Sequence, residues 1–123
     1  MNISPKKPFA ARALTPREME VGAWLISHGT ASDADKAKYL DQLSKATVIG
    51  KCECGCASID LGIEGCPVPT GPLCILGDFV QGDCQRGVFV FARENILAGI
   101  EIYPLADMET CGEFPPTNEL RGY

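Results

Sequence analysis

From Thr47 onward the chain changes its hydrophobic period, and that change limits the folds open to it. The runs TVIGKCEC, ASIDL, LCILGDFV, GVFVFAR and ILAGIEIY are short, rich in Val, Ile and Phe, and separated by Gly, Pro, Asn or Asp. That is the pattern of successive strands. GCPVPTGP, with three prolines and two glycines, can only be a loop between them. Glu94-Asn95 is the expected turn of a hairpin, because Asn95 tolerates positive φ.

Before Thr47 the apolar residues recur at helical spacing. In TPREMEVGAWLISHG, Thr15 stands at the N-cap, Pro16 at the first helical position and Glu18 three residues after the cap. This spacing lets the cap and the glutamate satisfy each other's orphan amides. Met19, Ala23 and Ile26, broadened by Trp24 and Leu25, mark the buried stripe. Gly29 ends the helix, and His28 suits the negative end of its dipole. A second helix starts at the cap Ser32, carries Asp33 and Asp35 in its first turn, and offers Tyr39, Leu40, Leu43 and Ala46 for packing.

Together these readings give an α+β fold, two N-terminal helices packed on one face of a mostly antiparallel sheet of about five strands. A chain of 123 residues suits one core and one domain. Residues 1–13 are expected to form an extended arm, 14–46 the helices, 47–105 the sheet and 106–123 an irregular acidic tail. No apolar run is long enough for a transmembrane helix, and the N-terminus lacks the apolar core of a secretory signal. A cytoplasmic location is therefore expected. Reduced cysteines fit that compartment, and seven cysteines cannot all pair within one chain.

KCECGC, residues 51–56, is the obvious candidate for metal or redox chemistry through Cys52, Cys54 and Cys56. Zinc thiolates at ~2.3 Å bring their sulfurs within roughly 4 Å, whereas strand residues i and i+2 stand ~6.6–7 Å apart. An extended C-x-C cannot chelate. A two-residue turn at Cys54-Gly55 would set Cys52 against Ala57, Gly50 against Ile59 and Val48 against Leu61 on an apolar face. Lys51 would then face Ser58, Glu53 would face Cys56, and Ile49 would face Asp60. In that register Cys52 points inward, Cys54 sits at the corner and Cys56 points outward, so the sulfurs diverge. Buried cysteine then acts as a small hydrophobe.

Phosphate-loop, serine-elbow and HExxH patterns are absent. Abundant carboxylates without a partner base or nucleophile do not define an enzyme. The charge is more informative. Residues 1–14 carry +3, residues 15–46 carry −1, and residues 47–123 carry −7, for a net −5. Such a field repels nucleic acid and attracts basic partners. Glu101, between Ile100 and Ile102, either faces solvent on the uncovered side of the sheet or awaits a positive partner.

VIGKCECGCASIDL, GVFVFARENILAGIEIYPL and the helical LTPREMEVGAWLISHG together resemble a family of small bacterial proteins with a V-x-G-x-C-x-C-G-C-x-S-x-D hairpin and a G-x-L-x-G-x-E-x-Y ending. The resemblance runs from about Leu14 to Leu105. Some members of that family look like immunity proteins of contact-dependent growth inhibition systems, which bind and neutralise the C-terminal toxin domain of a delivered protein. The resemblance implies a non-enzymatic inhibitor without cofactor, binding neither nucleic acid nor membrane. A basic nuclease domain would suit the acidic sheet half. The candidate contact residues are Asp60, Glu101, Asp107, Glu109 and Glu113.

The metal alternative has a direct check. Elemental analysis of protein purified without chelator is expected to find no stoichiometric zinc. Stoichiometric zinc that disappears on Cys54→Ser would reinstate the cluster as a metal site.

Overall fold

The capping box forms as its spacing dictates. In the computed structural model, which describes residues 10–52, 56–82, 86–105 and 112–122, Pro16–His28 is helix α1 with Thr15 at its N-cap. The Glu18 amide donates to Thr15 Oγ1 at 3.1 Å, and the Thr15 amide donates to Glu18 Oε1 at 2.8 Å. The same carboxylate takes two bonds from Arg12, Nη1 to Oε1 at 2.8 Å and Nη2 to Oε2 at 2.9 Å. Arg12 belongs to the two-residue strand β1, Arg12–Ala13. One buried glutamate thus starts the helix and holds an edge strand beside it. Helix α2, Asp33–Ser44, is capped by Ser32, whose side chain accepts from the Asp35 amide.

The remaining strands are β2 (Ala46–Lys51), β3 (Ile59–Ile63), β4 (Cys74–Gln81), β5 (Arg86–Arg93), β6 (Ile96–Pro104) and β7 (Leu120–Arg121). They form one sheet in the order β1-β2-β3-β6-β5-β4-β7, with every neighbour antiparallel. The α+β class holds, and the five long strands are those the sequence indicates. The count is seven because a two-residue strand closes each edge. The expected irregular tail is corrected accordingly: after a one-turn 3-10 helix at Thr117–Glu119, β7 pairs with Val80 and Gln81. Phe114, upstream of that turn, is buried in the core. Pairing such as this depends on distant partners, so no local period announces it.

Hairpin β5–β6 turns at Glu94-Asn95, both with positive φ, 53° and 65°. Two consecutive positive φ values match the twist of the flanking strands. Glu94 accepts from the Thr70 amide at 2.8 Å, tying the proline loop to the turn.

Hairpin β2–β3 departs from the expected register. Val48 does face Leu61, but an irregularity between Val48 and Gly50 then sets Gly50 against Asp60 and Lys51 against Ile59. An extra residue in one strand shifts every later pair by one. Gly50 therefore faces Asp60 rather than Ile59, and Ile49, expected against Asp60, is the extra residue of the bulge. Cys52 is exposed rather than inward, and Cys56 is half-buried against the core rather than outward. The turn itself, including Cys54 and Gly55, lies outside the described residues.

Helix α1 buries Val21, Gly22, Leu25 and Ile26, with Met19, Ala23 and Trp24 only partly covered. The stripe is centred differently from the sequence reading because glycine is used as a contact residue. A Cβ on Gly22 would lie 3.0 Å from Ile100 Cδ1 and 3.3 Å from the Leu43 methyls, so α1, α2 and β6 meet at a residue with no side chain. A Cβ on Gly77 would overlap the Leu25 carbonyl. Trp24 meets Phe79 edge-on at 4.8 Å and stacks on His28 at 4.1 Å. His28 Nδ1 also lies 2.9 Å from the Trp24 carbonyl oxygen. From α2, Gln42 donates to the Asn95 carbonyl and accepts from the Leu97 amide. Around these contacts Val48, Leu61, Val88, Val90, Leu97 and Ile100 are sealed from solvent. Among the described residues no helix is long and apolar enough to cross a membrane.

Burial alone would push the Glu18 carboxyl up. The Arg12 and Thr15 hydrogen bonds and the Arg12 charge outweigh it and hold the group below the usual carboxylate range. A depressed folded value contributes stability above the unfolded value of about 4.3, and that contribution fades as pH falls through the folded value. Glu18→Gln is expected to cost about 1–2 kcal/mol at pH 7. In urea melts the gap to the parent should stay constant down to about pH 5 and close on further acidification.

Candidate partner-binding face

Antiparallel register assigns each strand residue to one of two faces. Ile59, Ile100, Val90 and Gly77 align across four strands, as do Ile102, Val88 and Phe79. The α1 contacts at Ile100, Gly77 and Phe79 all land on this set. The alternate residues make up a second face. There Asp60, Gly99, Phe91 and Ile75 align in one row, Glu101, Phe89 and Asp78 in the next, and Tyr103, Gly87 and Val80 in a third.

Aromatic rings cross this second face in a line. Phe91 and Phe89 have centroids 5.8 Å apart, and Phe89 and Tyr103 are 5.9 Å apart. Phe91 and Tyr103 face glycines on the neighbouring strand for a steric reason. A Cβ on Gly99 would lie 2.6 Å from Phe91 Cζ, and one on Gly87 would overlap the Tyr103 ring. The rings therefore lie across bare backbone instead of standing away from the sheet. Tyr103 Oη donates to Asp78 Oδ1 at 3.2 Å, which fixes the last ring of the line.

Asp60 occupies a clearing. Gly50 flanks it on β2 and Gly99 on β6. Its Oδ2 leans over Gly50, 3.0 Å from where a Cβ would be. Glu101 stands diagonally across on β6, about 7–8 Å away for such a pair. Both carboxylates are exposed, and both line a depression of about 190 Å³ with Lys51, Ser58 and Phe91, the last carrying the Arg93 guanidinium 5.7 Å above its ring. Ser58 Oγ donates to the Ile102 carbonyl and accepts from the Ile102 amide, so it extends the β3–β6 ladder under the depression. Among the described residues neither Asp60 nor Glu101 has an ion-pair or side-chain hydrogen-bond partner.

The other expected contact residues do not join them. Glu113 lines a separate cleft of about 430 Å³ beside the start of α1, with Arg12, Arg17 and Lys51. Arg17 there donates to the Phe114 carbonyl at 3.1 Å. Asp107 and Glu109 lie outside the described residues. Of the cysteine cluster, Cys52 borders the acidic depression and Cys56 packs against the core, while Cys54 lies outside the described residues. Among the described residues no three His, Cys, Asp or Glu side chains are grouped to hold a metal ion.

Phe91, Gly99 and Val68 line this side without having been singled out in the sequence, and Gly50, expected on the apolar face, flanks Asp60 instead. A glycine inside a β-branched run marks a close approach of another group, and Gly50 and Gly99 both carry that signal. Which group approaches is set by cross-strand register, so Phe91 could not be named from it. Comparison with known family models, curated proteins and solved structures finds no match to this chain.

Gly99→Ala tests the packing of the face. The new methyl meets Phe91 Cζ at 2.6 Å and the Ile59 carbonyl oxygen at 2.8 Å. Overpacking of this kind is expected to cost about 1–3 kcal/mol in chemical denaturation. The Phe91 ring-proton resonances should shift with it.

Proposed function

We propose that this protein is a cytoplasmic immunity protein that binds and neutralises a cognate toxin C-terminal domain, a basic nuclease, of a contact-dependent growth inhibition system. The observation that carries the reading is the second face of the sheet, where Asp60 and Glu101, without partners among the described residues, line one depression with Phe91. In this reading the two helices layer the first face and leave the second for the toxin. Inhibition is by occlusion, without catalysis or a cofactor. The resemblance of the hairpin and of the ILAGIEIY ending to immunity proteins supports the assignment, as does the charge of −7 over residues 47–123.

The physics of the complex follows from that charge. Two like carboxylates repel each other weakly in water, and a cation placed between them relieves the repulsion. Complementary fields also raise the encounter rate with a basic domain, chiefly at low ionic strength. Affinity would then rest on a few desolvated contacts rather than on every surface acid.

Mixing the purified protein with its cognate toxin domain is expected to abolish nuclease activity near 1:1 stoichiometry. Full toxin activity in the presence of excess protein would overturn the assignment. The double substitution Asp60→Lys and Glu101→Lys should slow association about tenfold or more at low salt, with a smaller effect at high salt, as read by stopped-flow fluorescence.

A further inference from the structure

The link between β3 and β4 has to pass two other strands. β6 and β5 lie between them in the sheet, so residues 64–73 cross the end of that pair, at the Glu94-Asn95 turn. The crossing is a stiff piece between two pivots. Pro67, Pro69 and Pro72 restrict its backbone and remove amide donors. Gly65 and Gly71 take positive φ of 81° and 94°, a region that a residue without a Cβ enters and leaves freely.

Little packs this span down. Every residue from 64 to 75 is exposed except the half-buried Pro69, and Val68 keeps 67% of its surface in water. Val68 and Pro69 line a depression of about 260 Å³ together with Phe91 and Ala98, both of which are buried. Polar contacts hold the span instead. The Thr70 amide and hydroxyl donate to Glu94 Oε1 at 2.8 and 3.3 Å, and Arg93 Nη1 donates to the Gly71 carbonyl. Among the described residues these are the hydrogen bonds that tie residues 67–71 to the sheet, and all are exposed, where the net strength of a hydrogen bond is small. The Arg93 guanidinium also lies 5.7 Å over the Phe91 ring, so the group that fixes Gly71 covers Phe91 as well.

We infer that residues 65–71 form a hinged strap, clamped shut over the second face by Glu94 and Arg93, whose opening uncovers Phe91 and Ala98. A segment with few buried contacts and water-exposed hydrogen bonds opens at far lower cost than the core. Rotation at Gly65 and Gly71 carries the proline segment as a unit, as hinge residues do in other lids. Opening releases Arg93 from Gly71 and enlarges the apolar part of the face beside Asp60. The strap is a property of the chain alone and stands or falls separately from the inhibitor role.

Amide hydrogen exchange in the isotope-labelled full chain, read residue by residue by NMR, tests it. In the parent the Thr70 amide is expected to exchange about a hundredfold or more faster than the amides bridging β5 and β6. Glu94→Gly keeps a residue suited to the positive φ of the turn and removes both Thr70 bonds. It should raise Thr70 exchange about tenfold while the β5–β6 amides keep their rates, which also verifies folding. Glu94→Gln, which retains an acceptor oxygen, should give a smaller rise. The Phe91 ring and Ala98 methyl resonances should move in Glu94→Gly, although residue 94 is outside the lining of their depression. Thr70 exchange as slow as that of the β5–β6 amides in the parent refutes the strap. So does faster Thr70 exchange in Glu94→Gly with Phe91 and Ala98 unmoved, because the span would then cover nothing.

Discussion

The extra residue in β2 between Val48 and Gly50 is the constraint on which the second face depends. It brings Gly50 opposite Asp60, lays Ile49 over Gly62 and turns Cys52 to the surface. An unbroken ladder would have placed Ile49 against Asp60, closing the clearing around that carboxylate with a branched side chain. A local irregularity in one strand thus decides whether this acid is exposed or covered. Bulges often re-aim side chains in this way next to functional surfaces.

What could be read from the sequence divides along the range of the interactions. Thr15, Pro16 and Glu18 act within one helical turn, Ser32 and Asp35 within another, and Glu94-Asn95 within a tight turn. Each was legible because the partners are a few residues apart. The β2 irregularity, the half-burial of Cys56 and the role of Gly22 rest on groups in other elements, beyond the reach of a local pattern. A pattern of alternating residues fixes which positions share a face only until a residue is inserted. For the site, Asp60 and Glu101 were visible as acids in apolar strands. Their juxtaposition, and the ring beside them, needed the β3–β6–β5 order.

Glycine takes part in the packing at several points where a larger residue would ordinarily be expected in a core. At Gly22 and Gly77 it lets α1 rest almost directly on the sheet. At Gly87 and Gly99 it lets aromatic rings lie flat across the other side. Close approach of this sort trades side-chain contact for backbone proximity, and it carries an entropic cost in the unfolded chain. The same residue type therefore tightens one side of the sheet and shapes the other.

The two-residue strands at the sheet edges have a consequence for how the molecule keeps to itself. β1 covers only Thr47 and Val48 of β2, and β7 only Val80 and Gln81 of β4, although Thr30 also bonds the Leu76 carbonyl. Each guard is small, and the first is fastened largely through Arg12 and Glu18. Losing that ion pair would uncover a strand margin with unsatisfied amides and carbonyls, the usual template for joining another chain. A single ion pair at the start of a helix can thus decide whether a sheet remains solitary.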